Sequence, residues 1–329
     1  MSDIGNSTRA ILLVGGKGTR LAPLTNQTPK PMLKVAGKPV TEHQIVKARE
    51  AGIEEIVLAT SYMAEVFEPY FGDGSKFGIS IKYAVEEVPL GTGGAIANAA
   101  QMLDLRYGES VVVFNGDVLS SHNLAKQIAQ HHSTAADVTL YLTEVEDARA
   151  YGCVPLDVNG RVLEFLEKMD NPKANTINAG CYVFSARALN EIPRNTVVSV
   201  ERDTFPLLLQ KEFNVYGYKD GRYWIDMGTP QSLLKASRDL ILDPSLSPAT
   251  NSVNSESLIE EGVVIDRTAR VGGGSMVLGG ARIGAGATVM GSMIMNDVEI
   301  GEGTSVSDSY IAPGLTVPAS TEIVGKILG

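Results

Sequence analysis

A glycine-rich turn directly follows the first apolar run of the sequence. Residues 15–20 read Gly-Gly-Lys-Gly-Thr-Arg and follow Ala10–Val14. At the carboxyl end of a strand in an α/β sheet, such glycines let backbone N–H groups close on phosphate oxygens. The spacing matches neither a Walker A loop nor a dinucleotide fingerprint, whose third glycine is missing. The turn predicts phosphate binding, although a tight turn without a ligand would carry the same glycines.

Positively charged residues follow this turn within one short stretch. Arg20 is followed by Pro29-Lys30-Pro31 and then by Lys34 and Lys38. A run of charges is usually a solvated face, but the two prolines stiffen the backbone around Lys30 and would hold its ammonium group at a fixed point. We predict that Arg20 and Lys30 contact a triphosphate.

Two patterns of apolar residues divide the chain. Up to about Asp243, short β-rich runs alternate with stretches of helical spacing, which is typical of an α/β sheet built from crossovers. The predicted strands are Ala10–Val14, Glu55–Thr60, Ile79–Val85, Val111–Asn115, Val138–Val145, Ile177–Ser185 and Tyr223–Asp226. The predicted helices are Val40–Ala51, Gly93–Leu103, Asn123–His132, Thr204–Lys211 and Pro230–Leu242. Asn159-Gly160 predicts a hairpin turn, because both positions favour positive φ.

A six-residue period follows a linker rich in proline and serine. Its aliphatic positions, with two five-residue steps, are Val253, Ile259, Ile265, Val271, Val277, Ile283, Val289, Ile294, Ile300, Val306, Ile311, Val317 and Ile323. This period predicts a left-handed parallel β-helix of hexapeptide repeats, with the aliphatic side chains in a narrow core. We expect a Rossmann-like mixed-sheet α/β domain at 1–243, a linker at 244–254 and the β-helix at 255–329. Such a solenoid commonly serves in oligomer contacts, so we expect a homo-oligomer.

The composition argues against several classes of protein. The 329 residues include 28 Lys and Arg against 38 Asp and Glu, a net charge of −10. This balance is unsuited to binding a nucleic-acid backbone, and no window approaches the roughly 18 apolar residues of a membrane span. Because residues 1–9 are polar and lack a signal-peptide core, we expect a cytoplasmic protein without nucleic-acid or membrane partners. Cys153 and Cys181 are expected to be reduced and structural.

A series of motifs, in order and spacing, resembles the sugar-1-phosphate nucleotidyltransferase family. It begins with Leu13-Val14-Gly15-Gly16-Lys17-Gly18-Thr19-Arg20-Leu21 and Thr28-Pro29-Lys30-Pro31-Met32-Leu33. It continues with Glu86-Glu87-Val88-Pro89-Leu90-Gly91-Thr92-Gly93-Gly94, Phe114-Asn115-Gly116-Asp117, Phe165-Leu166-Glu167-Lys168, Ile177-Asn178-Ala179-Gly180 and Trp224-Ile225-Asp226-Met227-Gly228-Thr229. With the hexapeptide repeats added, the chain is most similar to the bacterial GDP-mannose pyrophosphorylases, also called mannose-1-phosphate guanylyltransferases.

The resemblance implies an enzyme that transfers GMP from GTP to α-D-mannose 1-phosphate and releases pyrophosphate. Such catalysis depends on positioning and charge neutralisation. Arg20 and Lys30 would neutralise the leaving pyrophosphate, and Lys168 would draw the sugar phosphate towards the α-phosphorus. Asp117 and Asp226, each at a strand end, would hold one Mg²⁺. The resemblance also implies nucleotide contacts for Leu13, Gly15, Gly16, Gly18, Thr19, Gly91 and Asn115, and sugar contacts for Gly152, Glu167 and Asn178.

Base selection adds a hypothesis about two adjacent glutamates. Guanine presents two neighbouring donors, N1–H and its amino group, and one carboxylate accepts both, whereas thymine or uracil presents one donor between acceptors. Glu86 or Glu87, just before the expected base-binding turn, would therefore favour guanine. The alternative is that both are exposed glutamates on a strand edge.

The sequence bears on three alternatives to this reaction. A thymidylyl- or uridylyltransferase acting on glucose 1-phosphate would keep the same fold and motifs. A non-catalytic regulatory homologue would have lost charged site residues, which are present here. An acyltransferase built on the β-helix fails because the four histidines, His43, His122, His131 and His132, all precede the linker and leave the repeats without the usual general base.

Overall fold

The structure is a computed structural model and describes residues 8–16, 18–106, 108–250 and 256–329. Its contacts divide the chain into two units. The first, here called the sheet unit, is Met1–Gly16 with Gln44–Trp224, and the second, the β-helix unit, is Lys17–His43 with Ile225–Gly329. Lys17 of the glycine-rich turn and Val253 of the hexapeptide period lie outside the described residues.

Strands and helices alternate up to residue 242. The strands are β1 (Thr8–Leu13), β2 (Lys34–Val35), β3 (Lys38–Pro39), β4 (Glu55–Thr60), β5 (Ser80–Val85), β6 (Ser110–Asn115), β7 (Val118–Ser120), β8 (Val138–Glu144), β9 (Thr176–Ser185), β10 (Val215–Lys219) and β11 (Trp224–Asp226). The helices are α1 (Val40–Glu50), α2 (Glu68–Phe71), α3 (Gly91–Ala100), α4 (Leu124–Ser133), α5 (Ala186–Leu189), α6 (Phe205–Gln210) and α7 (Pro230–Leu242).

The sheet unit is built on seven strands in the order β10-β8-β9-β6-β1-β4-β5. β1 runs parallel to both β4 and β6, whereas β9 runs antiparallel to both β6 and β8. The expected mixed sheet is therefore confirmed. Its central strands are buried, and Val111–Val113 have no exposed surface. Strands covered on both faces need continuous apolar runs, which is why these segments do not alternate with polar residues.

Three parallel sheets form the C-terminal repeats. Their strands are β12 (Ser257–Ile259), β13 (Val264–Ile265), β14 (Arg270–Gly272), β15 (Ser275–Val277), β16 (Arg282–Ile283), β17 (Thr288–Met290), β18 (Met293–Ile294), β19 (Glu299–Ile300), β20 (Ser305–Ser307), β21 (Tyr310–Ile311), β22 (Thr316–Val317), β23 (Glu322–Val324) and β24 (Ile327–Leu328). Val277 is paired with Ile294, and Ile294 with Ile311, so each coil takes 17 residues there. A coil of three six-residue steps would take 18 residues, and the one five-residue step in each of these coils shortens it to 17. The β-helix expectation is confirmed.

The aliphatic positions of the period form the core of this β-helix. Residues from Val277 to Ile323 at this spacing are buried and in mutual contact, with Ile265 and Val271 partly buried against them. Ile259 is an exception, since 47% of it is exposed. Its strand β12 is at the end of its sheet. The expectation that Ile259 points into a closed core is therefore wrong, because no further described coil covers it.

The helix ends follow local hydrogen bonding. Asn123 caps α4 through its side chain, which accepts from the N–H of Lys126 at 3.0 Å. Thr229 and Ser232 form a reciprocal capping box at the start of α7, with Pro230 in the first turn, where its missing N–H costs nothing. These caps explain why the predicted starts of both helices agree with the structure to within one residue.

One local feature was predicted and another was not. The turn at Asn159-Gly160 forms, with the N–H of Asp157 bonded to the carbonyl oxygen of Arg161 at 2.9 Å, but only Gly160 has positive φ. Strand β10 was not predicted.

The domain limits at 243 and 254 remain a prediction, since the compact units group residues 17–43 and 225–243 with the repeats. Cys153 and Cys181 are free and buried, as expected. Among the described helices, none combines the length and apolar character that crossing a membrane requires.

The β-helix core yields a stability prediction at Ile300, which is 3% exposed. Ile300→Ala should lower the free energy of unfolding by about 2 kcal/mol or more, because it leaves a cavity in a narrow core. The adjacent Glu299→Ala, at an exposed position, should change it by less than about 0.5 kcal/mol. Urea denaturation followed by circular dichroism measures both, and equal midpoints for the two variants would contradict this account of the core.

Candidate active site

The glycine-rich turn leaves the end of β1 where neighbouring backbone is close. The hydroxyl of Ser61 donates to the carbonyl oxygen of Gly15 at 2.7 Å, and a Cβ on Gly15 would lie 2.5 Å from that hydroxyl oxygen. Gly15 is therefore required by packing. Gly16 is exposed, and a Cβ there would meet no atom within 4 Å. The turn has a fixed base and an open side where a ligand has room.

Arg20 and Lys30 lie on two single turns of the β-helix unit. Gly18, at φ 60°, precedes the turn Thr19–Leu21, and Lys30–Met32 forms the second turn. A Cβ on Gly18 would lie 2.9 Å from the Cβ of Lys30, so the buried stem of Lys30 packs against this glycine. The structure therefore places Lys30 next to Gly18 of the glycine turn.

Two other cations of this stretch are engaged in ion pairs. Lys34 pairs with Glu260 at 3.2 Å, and Lys38 pairs with Glu42 at 2.8 Å. Their charges are already balanced within the β-helix unit.

Gly228 brings Arg20 and Asp226 close to each other. The point that its Cβ would occupy is 3.2 Å from Nη2 of Arg20 and 3.2 Å from Oδ1 of Asp226. A side chain at residue 228 would displace one of the two. Gly228 was not among the predicted site residues, although its place two residues after Asp226 in a family motif was a usable signal.

A tight turn after β6 carries Asn115 and Asp117. The N–H of Gly116 donates to the carbonyl oxygen of Leu13 at 3.0 Å, and a Cβ on Gly116 would lie 2.2 Å from that oxygen. Asp117 is half-buried between β6 and β7. Oδ1 of Asn115 is buried and has no hydrogen-bond partner among the described residues. Carboxylate and amide oxygens thus lie on one turn, a donor set that suits a hard divalent cation.

The residues expected to bind the sugar meet in the sheet unit. The N–H of Asn178 donates to the carbonyl oxygen of Gly152 at 2.8 Å, and a Cβ on Gly152 would lie 3.1 Å from Oε2 of Glu167. Lys168 follows Glu167 directly, is exposed and has φ 27°. Gly152, Glu167 and Asn178 are therefore neighbours.

Tyr182, which the sequence analysis missed, connects two predicted site residues. Its buried hydroxyl accepts from the side-chain amide of Asn178 at 2.9 Å and from that of Asn115 at 3.3 Å. Burial raises the pKa of Tyr182 well above its ordinary value, so the hydroxyl stays protonated. It fixes the orientation of both amides. No sequence spacing signals a contact across 67 positions.

Backbone hydrogen bonds with Val198 hold the expected base-binding turn in place. Its carbonyl oxygen accepts from the N–H groups of Gly93 at 2.8 Å and Gly94 at 3.3 Å, which are first-turn donors of α3. The N–H of Val198 donates to the carbonyl oxygen of Leu90 at 2.9 Å. Gly91 has φ 74°, and a Cβ there would lie 2.6 Å from the Val198 carbonyl oxygen. The turn is fixed by backbone contacts that only glycine permits.

Glu86 and Glu87 differ in their surroundings. Oε2 of Glu86 accepts from the N–H of Leu90 at 3.3 Å, while its Oε1 is buried without a hydrogen-bond partner among the described residues. Burial raises the pKa of Glu86 above its ordinary value. Glu87 is exposed. Glu86 is thus the glutamate with a buried acceptor at this turn.

A model of the family described as nucleotidyl transferase matches residues 9–242. This chain belongs to the nucleotidyl transferase family. It is 48% identical over 295 residues to the mannose-1-phosphate guanylyltransferase of Mycobacterium tuberculosis (strain ATCC 25618 / H37Rv), covering 89% of this chain and 81% of that relative. It is 34% identical to the catalytic subunit beta of the Drosophila melanogaster mannose-1-phosphate guanylyltransferase, covering 82% and 73% of the two chains.

Solved structures show the same fold for this nucleotidyl transferase. A Bacillus anthracis protein described as a glucose-1-phosphate thymidylyltransferase superposes with a TM-score of 0.65 at 24% identity, covering 74% of this chain and 99% of its own. HddC from Yersinia pseudotuberculosis gives 0.60 at 28% identity, covering 70% and 99%. The resemblance stated from the motifs and the prediction of an enzyme are confirmed. The roles of individual residues remain predictions.

The contact between Gly91 and Val198 in the expected base-binding turn predicts the effect of adding one methyl group. Gly91→Ala must place a Cβ against the Val198 carbonyl oxygen, in addition to the cost of positive φ. Gly52→Ala is the matched control, because Gly52 has φ 85° but open space around its Cβ position. The control should cost about 1 kcal/mol of unfolding free energy, the usual penalty of positive φ. Gly91→Ala should cost clearly more in urea denaturation; equal losses would show that the contact with Val198 does not constrain the turn.

Proposed function

We propose that this enzyme transfers GMP from GTP to α-D-mannose 1-phosphate, giving GDP-mannose and pyrophosphate. The observation that carries the proposal is its 48% identity to the Mycobacterium tuberculosis mannose-1-phosphate guanylyltransferase across 89% of the chain. Relatives of the same name in Drosophila melanogaster and Arabidopsis thaliana, at 34% and 33% identity, support it.

Positively charged side chains would carry most of the catalysis. A phosphate oxygen of the sugar phosphate attacks the α-phosphorus of GTP, the bond from that phosphorus to the β-phosphate bridging oxygen breaks, and pyrophosphate leaves. Arg20 and Lys30 would bind the leaving phosphates, because each is a cation that follows the glycines of residues 15–18 in the sequence. The exposed Lys168 would orient the attacking phosphate. Fixed cations of this kind stabilise charge that is redistributed in the transition state.

Mg²⁺ is the proposed metal, with Asp117 and Asp226 as its protein ligands. Among the described residues, no three His, Cys, Asp or Glu side chains are grouped as a complete metal site. One or two carboxylates with substrate phosphates are what Mg²⁺ usually takes. The buried acceptor on Asn115, beside Asp117, fits an electropositive ligand. When bound, the cation would neutralise phosphate charge.

Sugar recognition would fall to Glu167 and Asn178 beside Gly152. A carboxylate accepts from sugar hydroxyls, and an amide both accepts and donates. Because residue 152 is glycine, no side chain occupies the space next to the Glu167 carboxylate. A Cβ at this position would lie 3.1 Å from Oε2 of Glu167. A homo-oligomer formed through the β-helix and a cytoplasmic location remain predictions of the sequence.

Pyrophosphate release tests the proposed reaction. The purified protein with Mg²⁺ is assayed with GTP, dTTP, UTP, ATP and CTP, each against mannose 1-phosphate and glucose 1-phosphate. We expect release with GTP and mannose 1-phosphate. Release confined to dTTP or UTP with glucose 1-phosphate would replace the proposed substrates within the same family. No release from well-folded protein would favour a regulatory homologue.

Base selection is predicted to depend on Glu86, whose Oε1 is a buried acceptor without a partner among the described residues. Glu86→Gln replaces one carboxylate oxygen by a donor that faces the donors of guanine. The ratio of kcat/KM for GTP to that for dTTP should fall roughly tenfold or more, as expected for losing a hydrogen bond to a charged group. Glu87→Gln, at the exposed neighbour, is the matched control and should leave the ratio unchanged. An unchanged ratio in both variants would reject carboxylate recognition of the base.

A further inference from the structure

Helix α1 presents the side chain of Gln44 to the turn that follows β6. Nε2 of Gln44 donates to the carbonyl oxygens of Asn115 and Val118, each at 2.8 Å. These two carbonyls flank Gly116 and Asp117. One primary amide thereby uses both of its N–H groups to join the two sides of the turn.

The unfavourable burial of Gln44 indicates the structural role of this residue. The residue is 4% exposed, and its Oε1 is buried without a hydrogen-bond partner among the described residues. A buried, unsatisfied acceptor is unfavourable, and an apolar side chain of the same length would avoid it. The two bonds to the turn are the feature that an apolar residue could not supply.

Lys47, three residues further along α1, holds the strand after the same turn. Its Nζ donates to the carbonyl oxygen of Ser120 at 2.6 Å, and it lies 3.1 Å from the Ser120 hydroxyl and 2.9 Å from Nδ1 of His122. Residues three apart share one face of a helix. Gln44 and Lys47 therefore fasten residues 115–122 to α1 at successive points.

The hydrogen bonds around His122 fix its protonation. Nε2 of Gln127 donates to the carbonyl oxygens of Thr139 and Cys181, so Oε1 of Gln127 is left to accept from Nε2–H of His122 at 3.1 Å. Nδ1 of His122 is then an acceptor for Lys47. Burial lowers the pKa of His122 well below its ordinary value, which keeps the ring neutral. The amino group of Lys47 thus has acceptors arranged for it, and burial lowers its pKa to about 7.

The opposite side of the turn is held by the sheet. The N–H of Gly116 donates to the carbonyl oxygen of Leu13 at 3.0 Å, on the strand next to β6. The backbone that carries Asp117 is consequently bonded to β1 on one side and to α1 on the other. Ligands that are already in place lose less conformational freedom on binding a metal.

We propose that Gln44 and Lys47 are positioning residues that hold residues 115–120 in the form that presents Asp117 to the divalent cation and the nucleotide phosphates. The proposal rests on the proposed role of Asp117 as a metal ligand. It makes two side chains of α1, both outside the family motifs, determinants of metal affinity.

Gln44→Met tests the proposal, because methionine has similar length but no N–H donor. Binding of Mn²⁺ is measured by electron paramagnetic resonance in the presence of GTP and without sugar phosphate. We expect affinity to fall roughly tenfold or more, the usual effect of removing a partner that orients a metal ligand. The Mg²⁺ concentration for half-maximal rate should rise in parallel.

Two further variants separate the possible causes. Gln130→Met, on α4, loses a 3.0 Å hydrogen bond from the side-chain amide to the carbonyl oxygen of Gly217 on β10, and its Mn²⁺ affinity should be unchanged. Asp117→Asn tests the metal role itself. If Asp117→Asn leaves Mn²⁺ affinity unchanged, the proposed metal site is wrong. If Asp117→Asn weakens binding but Gln44→Met does not, the positioning proposal is overturned.

The wild-type protein offers a test that needs no substitution. Hydrogen–deuterium exchange of residues 115–120 should be slow without metal and change little when Mn²⁺ and GTP are added. Rapid exchange that becomes slow only on metal binding would show that the metal, and not α1, orders the turn. Such a result would overturn the proposal even where Gln44→Met fails to fold.

Discussion

The parallel register of β1 and β6 is the constraint on which the site in the sheet unit depends. Leu13 is paired with Asn115, so the two strands end level with each other. The chain after β6 can then turn across the end of β1 only because Gly116 has no side chain: its N–H bonds the Leu13 carbonyl oxygen at 3.0 Å, where a Cβ would come within 2.2 Å. This single crossing places the Asp117 turn and the start of the glycine turn, Gly15, at the carboxyl ends of two neighbouring strands.

Elements with strong periodicity could be predicted from the sequence because their pattern is local. The buried parallel strands and the hexapeptide coils repeat at fixed spacing, and a register follows from that spacing. Strand β10 was not predicted, because Gly217 interrupts a short, partly exposed run of residues. The strand is positioned by its pairing with β8. Ile259 was assigned to the core because periodicity tells which face points inward but not where the stack of coils ends.

The candidate site could be predicted only as far as its motifs reach. Glycines and charged residues in runs were visible, since backbone turns and phosphate binding need particular residue types at adjacent positions. The residues that hold them were not visible. Gln44 meets Asn115 across 71 positions and Tyr182 meets it across 67, and neither lies beside a pattern that would single it out. Such contacts exist only once the sheet has brought distant segments together.

Buried acceptors without partners give an independent argument for where this protein binds its ligands. Among the described residues, Glu86, Asn115 and Gln44 each have a buried side-chain oxygen of this kind, and the hydroxyl oxygens of Thr60 and Thr204 are similar. Thr60 precedes Ser61, which holds Gly15, and Thr204 lies beside Gly93, so each is near the glycine turn or the expected base-binding turn. Folding normally satisfies such groups, because each one costs free energy. Their concentration here is understandable if a ligand supplies what the chain does not: N–H donors at Glu86 and positive charge beside Asp117. On this view the unfavourable burial of these oxygens is retained because it excludes water from them and keeps them oriented before the ligand binds.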